Sequence, residues 1–187
     1  MILSDKTIKE KIKNGNIVIE PFSEEFLQPA SYDLHLDKYF LVFNKENMAM
    51  IDVKKKEDNL MREIEVTEKE GFIIHPREFV LANVEEITGV DAAHVGRLEG
   101  KSSLGRIGLI IHATAGFLDP GNKLRMTLEL ANVSPLPIKI YPGMKIAQIA
   151  FEALDAECER PYGSKGLKSK YFGDLKVKGS QMWKNFK

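Results

Sequence analysis

Asp119-Pro120-Gly121, followed by Met126-Thr127-Leu128-Glu129-Leu130-Ala131, is the stretch that decides the fold class. Proline presets φ at the second position of a turn, and glycine accepts positive φ at the third. After the turn, Met126, Leu128 and Leu130 alternate with Thr127, Glu129 and Ala131. A period of two predicts a strand with one apolar face, and it puts Thr127 and Glu129 together on the other. Just upstream, Ile107 to His112 is an almost unbroken apolar run, which predicts a strand buried on both faces.

Working outward, the same grammar repeats. Residues 136–141 and 145–151 read as strands around the turn Pro142-Gly143. Towards the N-terminus, 17–20 reads as a short strand ending at Pro21. Ser31-Tyr32-Asp33-Leu34-His35-Leu36 alternates polar and apolar as a half-buried strand does. Further short strands are predicted at 39–43, 63–66, 72–75 and 79–83. One helix stands out: Ser4 as cap, Asp5 in the first turn, Ile8 and Ile12 on one face and Gly15 as the stop. Many short strands with turn signals and a single clear helix predict a mainly β fold, a sandwich or closed barrel. From residue 152 the periodicity dissolves into Gly- and Lys-rich sequence, by default a mobile tail. No repeat or linker divides the chain, so residues 1–187 read as one domain, with 152–187 as a C-terminal arm.

Composition narrows the functional classes. Lysine plus arginine and aspartate plus glutamate number 27 each, so the net charge is zero. That argues against a general nucleic-acid or membrane-surface binder. The Lys54-Lys55-Lys56 run is read as a solvated loop. Cys158 is the sole cysteine, which excludes an intrachain disulfide framework and suits a reducing, cytoplasmic location. No run approaches the ~18 apolar residues of a membrane span, and the N-terminus lacks an apolar signal core.

The chemistry-bearing stretch is Glu99-Gly100-Lys101-Ser102-Ser103-Leu104-Gly105-Arg106-Ile107-Gly108. It combines cations, hydroxyls and glycines, the ingredients of an anion-binding turn, although a solvated loop has the same composition. It is not a Walker A loop. None of His35, His75, His94 and His112 is followed two residues later by glutamate, and one cysteine cannot make a P-C-x-x-C element. The zinc-deaminase pattern is therefore absent. Glu129 reads either as a solvated strand glutamate or as a proton-transferring carboxylate.

Lys101 to Arg106, His112-Ala113-Thr114-Ala115-Gly116-Phe117-Leu118-Asp119-Pro120-Gly121 and Thr127-Leu128-Glu129, in this order, resemble the dCTP deaminase branch of the dUTPase-like family. The resemblance covers nearly the whole chain. It implies a distorted, jelly-roll-like β-barrel of the β-clip type, assembled as a homotrimer with active sites shared between subunits. It implies zinc-free hydrolysis of the cytosine amino group of dCTP. Glu129, 23 positions after Arg106, matches the family's proton shuttle.

The resemblance also assigns roles by position. Ser102 would position the attacking water, and Arg106 would hold the nucleotide and the charge near the base. Lys101 and Ser103 would contact phosphates within a loop that includes Leu104 and Gly105. The backbone at Ala113 and Ala115 would border the cytosine, Ala115 also lying near the water. Thr127 and Leu128 would line the site beside Glu129. Asp119 would accept from the deoxyribose 3′-hydroxyl. Gln148 resembles the phosphate-side glutamine of dUTPases, and Tyr162 and Lys170 match the arm residues that close over the triphosphate.

Magnesium would enter with the nucleotide phosphates, and feedback inhibition by dTTP is a further expectation of the family. Ala115 to Asp119 also resembles the A-G-x-I-D hairpin of dUTPases, where the aspartate orients water towards the α-phosphate. Strict deaminases tend to have histidine at the position of Gly116. The expectation is therefore a bifunctional enzyme that converts dCTP to dUMP, with a deaminase giving dUTP, a dUTPase and a non-catalytic nucleotide-binding regulator as alternatives. Two departures stand out. Asn122-Lys123-Leu124-Arg125 replaces an aromatic residue and a glycine, and Asp174 occupies the arm position where many relatives carry glutamine.

Overall fold

In the computed structural model, residues 1–46, 49–114 and 116–187 are described. The elements in order are α1 (Asp5–Lys13), β1 (Ile17–Glu20), a 3₁₀ turn (Glu24–Phe26), β2 (Leu27–Gln28), β3 (Ser31–Phe43), β4 (Met61–Glu65), β5 (Phe72–Ile74) and β6 (Phe79–Val90). They continue with β7 (His94–Gly100), α2 (Ser102–Gly105), β8 (Leu109–Ile110), β9 (Phe117–Leu118), β10 (Lys123–Asn132), β11 (Ile138–Ile140), β12 (Lys145–Ala153) and a final 3₁₀ turn (Met182–Phe186). The fold is mainly β, as the strand-and-turn grammar predicts.

Ten strands form one curled antiparallel sheet whose path runs β8-β10-β6-β3-β12-β7-β9. Two long strands make the curl by pairing with different neighbours along their lengths. The first half of β3 pairs with β2 and β12, and its second half pairs with β4 and β6. One edge of β6 is shared in the same way between β3 and β1. A register shift in β3 between Leu36 and Phe40, and one in β10 between Arg125 and Thr127, take up the bend. β5 and β11 form a separate ribbon. Tyr32, Leu34, Phe40, Leu98, Leu128, Leu130, Ile149 and Phe151 lie in the apolar core.

β3 departs from its sequence reading. The two strands predicted at 31–36 and 39–43 are one, and residues 32–37 are buried on both faces. Asp33, His35 and Asp37 share a face, and each meets a partner from another element. Lys101 lies against Asp33, Glu86 against His35, and Arg125 against Asp37. Buried charge persists only when paired, so the row of polar residues reflects partners supplied by distant sequence rather than exposure to water.

Ile107 to His112 also differs from expectation. Only Leu109 and Ile110 pair, with Ala131 and Asn132 of β10, and β8 is the end of the sheet path. Leu109 and Ile111 are buried, whereas Ile107 and Ile110 face outward. Only one face of the segment packs on the core, where Leu109 and Ile111 lie, and nothing among the described residues covers the other.

β6 runs seven residues past its predicted end at Asn83, and β7 had no sequence-level prediction. α1 matches in detail: Ser4 accepts from the Thr7 N–H, Ile8 is buried, and Gly15 takes positive φ. Among the described residues no helix is long and apolar enough to cross a membrane.

The segment after Ala153 has little regular structure, as the loss of periodicity predicts, but it lies along the body. Tyr162 N–H donates to the Pro120 carbonyl, Gly173 N–H to Asn122 Oδ1 and Arg125 N–H to the Asp174 carbonyl. Val177 is buried.

Candidate active site

β10 presents its apolar residues inward, as the alternation predicts, with Met126, Leu128 and Leu130 buried and Thr127 and Glu129 half-exposed on the opposite face. The Glu129 carboxylate is gripped by the turn that precedes β9. Its Oε2 accepts from the Ala113 N–H at 2.8 Å and from the Thr114 N–H at 2.9 Å. The main chain of Glu129 is fixed as well, its N–H donating to the Ile111 carbonyl at 3.0 Å. Main-chain donors leave a carboxylate little orientational freedom. Thr114 was not singled out from sequence, because a main-chain donor carries no side-chain signal. Leu128 has its side chain in the core, so only its main chain can line the same face. Thr127 Oγ1 meets the amide of buried Asn83 at 3.1 Å. Ala115 lies outside the described residues.

The Asp119-Pro120-Gly121 turn forms as read. Asn122 N–H donates to the Asp119 carbonyl at 3.1 Å, and Gly121 has φ of +80°. Burial pushes the Asp119 carboxyl above the ordinary aspartate range. A Cβ at Gly121 would lie 2.5 Å from Pro161 Cβ, so glycine allows the arm to pass directly over the turn. Gly116 is similarly close-packed, its carbonyl accepting from the Leu98 N–H at 2.7 Å.

A second cluster forms where β7 ends. Lys101 precedes the single helical turn of α2, from which Ser102, Ser103, Gly105 and Arg106 are exposed while Leu104 packs partly on the core. Lys101 Nζ donates to Asp33 Oδ1 at 2.5 Å. Lys145 Nζ lies 3.2 Å from Asp33 Oδ2, which also accepts from Gln28 Nε2 at 3.3 Å. Gln148 sits opposite Asp33 in the sheet register, accepting from Ser31 Oγ at 3.0 Å and donating to the Gly100 carbonyl at 3.2 Å. The structure thus joins Lys101 and Gln148 through neighbours that sequence reasoning missed: Asp33, Lys145, Gln28 and Ser31. Their only sequence signal was the acidic residue in the alternating face of β3.

The arm residues lie near the Asp119 turn and β10. Tyr162 is tied to Pro120 through its N–H at 2.8 Å, and its hydroxyl accepts from the Tyr171 N–H at 3.2 Å. Lys170 is half-buried beside Tyr171. Asp174 pairs through Oδ1 with Lys178, and its Oδ2 is buried with no hydrogen-bond partner among the described residues. The two departures from the family pattern, Asn122 to Arg125 and Asp174, come together here: Asn122 and Arg125 are the residues that bind Gly173 and Asp174.

The family model described as dCTP deaminase-like matches residues 2–154. A protein of Corynebacterium glutamicum (strain R) named dCTP deaminase, dUMP-forming, is 48% identical over 186 residues, covering 100% of this chain and 98% of its own. A protein of Salinispora tropica with the same name is 45% identical over 187 residues, covering 100% and 97%. The solved structure of 2′-deoxycytidine 5′-triphosphate deaminase from Agrobacterium tumefaciens superposes with a TM-score of 0.63 at 19% identity. That match covers 82% of this chain and 48% of the other, so this chain spans about half the length of that relative and shares its fold. With a family match over most of its length and relatives at 48% identity from end to end, the chain belongs to the dCTP deaminase family.

Proposed function

We propose that the chain deaminates dCTP without zinc and hydrolyses the resulting triphosphate, releasing ammonia, pyrophosphate and dUMP in the cytoplasm. The carrying observation is Glu129, whose carboxylate is oriented by two main-chain N–H groups at the head of the hairpin that leads to Asp119. Full-length relatives named dUMP-forming support both steps.

In the first step Glu129 takes a proton from water as the oxygen bonds to C4 of cytosine, and the same proton passes to N3. A second proton moves from the new hydroxyl through Glu129 to the amino group, the C4–N bond breaks and ammonia leaves. A positioned carboxylate contributes about 10²–10⁴-fold in such transfers. Ser102 and Arg106 assist with the water and the nucleotide. In the second step water attacks the α-phosphorus and pyrophosphate leaves. Asp119 serves that end of the nucleotide, contacting the deoxyribose and the water. Lys101, Ser103 and Gln148 hold the phosphates, and residues 152–187 form an arm that covers them with Tyr162, Lys170 and Asp174.

Magnesium supplies charge neutralisation on the phosphates. Among the described residues no group of three or more His, Cys, Asp or Glu side chains is arranged to hold an ion. Phosphate oxygens and water are the donors that fit it.

Lys101 and Gln148 are anchored on β3, β7 and β12, whereas Glu129 is anchored on β10 and the 113–114 turn. A homotrimer that brings the α2 turn of one subunit to Glu129 of another is the assembly we favour. Outward-facing Ile107, Ile110, Val133 and Leu136 at the β8 rim offer it an apolar surface. dTTP shares the deoxyribose and triphosphate, and would compete as a feedback inhibitor.

Incubation with dCTP and magnesium, following ammonia, pyrophosphate, dUTP and dUMP together, tests the reading. Equal ammonia and pyrophosphate with dUMP are expected. Accumulating dUTP would reduce the function to deamination alone, and cleavage of added dUTP without ammonia would leave a dUTPase. Nucleotide binding with no turnover would leave a regulator.

A further inference from the structure

We propose that Asp33 is the positioning residue of the phosphate subsite and that Lys145 is a further phosphate-binding residue, working beside Lys101. This rests on the reading of the site as one for a nucleoside triphosphate.

The Asp33 side chain is 3% exposed, yet it carries a charge in the middle of a sheet. Its Oδ1 receives Lys101 and its Oδ2 receives Lys145 and Gln28. One carboxylate against two ammonium groups leaves a net positive charge. The Lys101 and Lys145 side chains are 27% and 45% exposed, against 3% for Asp33, so the cationic side of the cluster is the one open to water. A structural ion pair needs only one cation. The second, whose Nζ also lies over the Phe26 ring 5.1 Å from its centroid, is held at the surface by the same anion.

The location points the same way. Asp33 lies opposite Gln148, so the two side chains share a face of the sheet. Lys101 leads directly into the exposed hydroxyls of Ser102 and Ser103. The nearby carboxylate Glu99 is 3.5 Å from Arg97. A polyphosphate is the ligand class that matches two convergent ammoniums, a carboxamide and hydroxyls. A lysine that is free to sweep through many rotamers loses entropy when it binds phosphate. Tethering both lysines to a buried carboxylate places that loss in folding instead of binding.

The test uses the full-length assembled protein as wild type, Asp33→Asn, Lys145→Gln, Lys101→Met and the Asp33→Asn/Lys101→Met double variant. Ammonia release is measured with dCTP and dCMP, and binding of inorganic tripolyphosphate by calorimetry. For Asp33→Asn we expect KM for dCTP to rise about tenfold with kcat within about threefold, and KM for dCMP to move far less. Tripolyphosphate binding should weaken in parallel. The double variant should be little worse than Lys101→Met, because the two residues act as one unit. Lys145→Gln, at an exposed position, should raise KM for dCTP about fivefold. Unchanged KM for dCTP in Asp33→Asn, or equal losses with dCTP and dCMP, would overturn the proposal. If Asp33→Asn does not fold, Lys145→Gln decides, and wild-type behaviour there overturns it. Absence of ammonia from the wild type would sink the deaminase reading instead, and the tripolyphosphate measurement still decides the role of Asp33.

Discussion

The Arg125 N–H donates to the carbonyl of Asp174 at 2.9 Å, joining the two places where this chain departs most from its family's pattern. The Arg125 side chain turns the other way, to Asp37 Oδ2 at 3.1 Å. Strand β10 therefore links the polar face of β3 to the C-terminal arm. Next to this link, the amide of Asn83 is satisfied at both ends when its oxygen accepts from the Val177 N–H at 3.0 Å and its nitrogen donates to Thr127 Oγ1 and the Ala82 carbonyl. The arm is held by its own chain through main-chain bonds on one side and a buried carboxamide on the other.

Asn83→Ala should release this end of the arm. It strands the Val177 N–H in a buried place, at a cost of about 1–3 kcal/mol. The expected outcome is faster cleavage after 153 in limited proteolysis, with a smaller change in the melting of the body. Gly121→Ala should act at the other end, since its Cβ would overlap Pro161 and the residue has positive φ. An arm equally protected in both variants would show that these contacts do not hold it.

Glu129→Gln keeps the shape and can still accept from the Ala113 and Thr114 N–H groups through its amide oxygen. It cannot take a proton from water. Ammonia release should fall by about 10²–10⁴-fold, while melting temperature and dCTP affinity stay near wild type. A variant that is stable, binds dCTP and still deaminates at the wild-type rate would remove Glu129 from the reaction.

Much of this architecture was legible because it is local. The β10 alternation, the Asp119-Pro120-Gly121 turn and the cap of α1 each depend on residues within a few positions of one another. The charged face of β3 was not legible in that way. Asp33 and His35 read as the polar face of a half-buried strand and Asp37 fell outside the predicted strands, yet their partners lie 68, 51 and 88 positions away. Nor could the main-chain donors of the 113–114 turn be seen, because any residue supplies an N–H. Side chains with chemistry of their own could be proposed for the site from sequence, whereas the groups that position them could not.

Asp119 and Asp91 should respond to pH in opposite senses. Burial raises the Asp119 pKa, so the folded state holds its proton more tightly than the unfolded state does. Its contribution to stability is fully present below the ordinary aspartate value of about 3.9 and is lost as pH rises through the raised value. At Asp91 burial also pushes the pKa upward, but hydrogen bonds from His94, the Ala93 N–H and Asn16 outweigh it, and the net shift is down. That contribution is present above the ordinary value and is lost as pH falls through the lowered one. Asp119→Asn should therefore melt at the same or higher temperature than wild type at pH 7, while losing pyrophosphate release. Asp91→Asn should melt lower at pH 7, with the gap closing in acid. Thermal melts from pH 2 to 8 check both, and the reverse pattern would contradict the assignment of these environments.

Gly116 separates the two proposed reactions most directly. A Cβ built there would lie 3.2 Å from both the Leu98 carbonyl oxygen and His112 Cε1, and the Gly116 carbonyl is already committed to the Leu98 N–H. Any side chain forces the hairpin away from β7 by a few tenths of an ångström. Asp119 lies three residues further along this hairpin and shifts with it, whereas Glu129 keeps its main-chain anchor on β10 and feels the shift only through the 113–114 turn. Gly116→Ala should therefore depress pyrophosphate release more than ammonia release, so that dUTP accumulates from dCTP. Gly116→His, the residue that strict deaminases tend to have there, should carry the effect further. Product ratios from a single incubation measure it. Equal losses of ammonia and pyrophosphate would mean that the hairpin serves both steps alike, and that Asp119 is not the residue on which they divide.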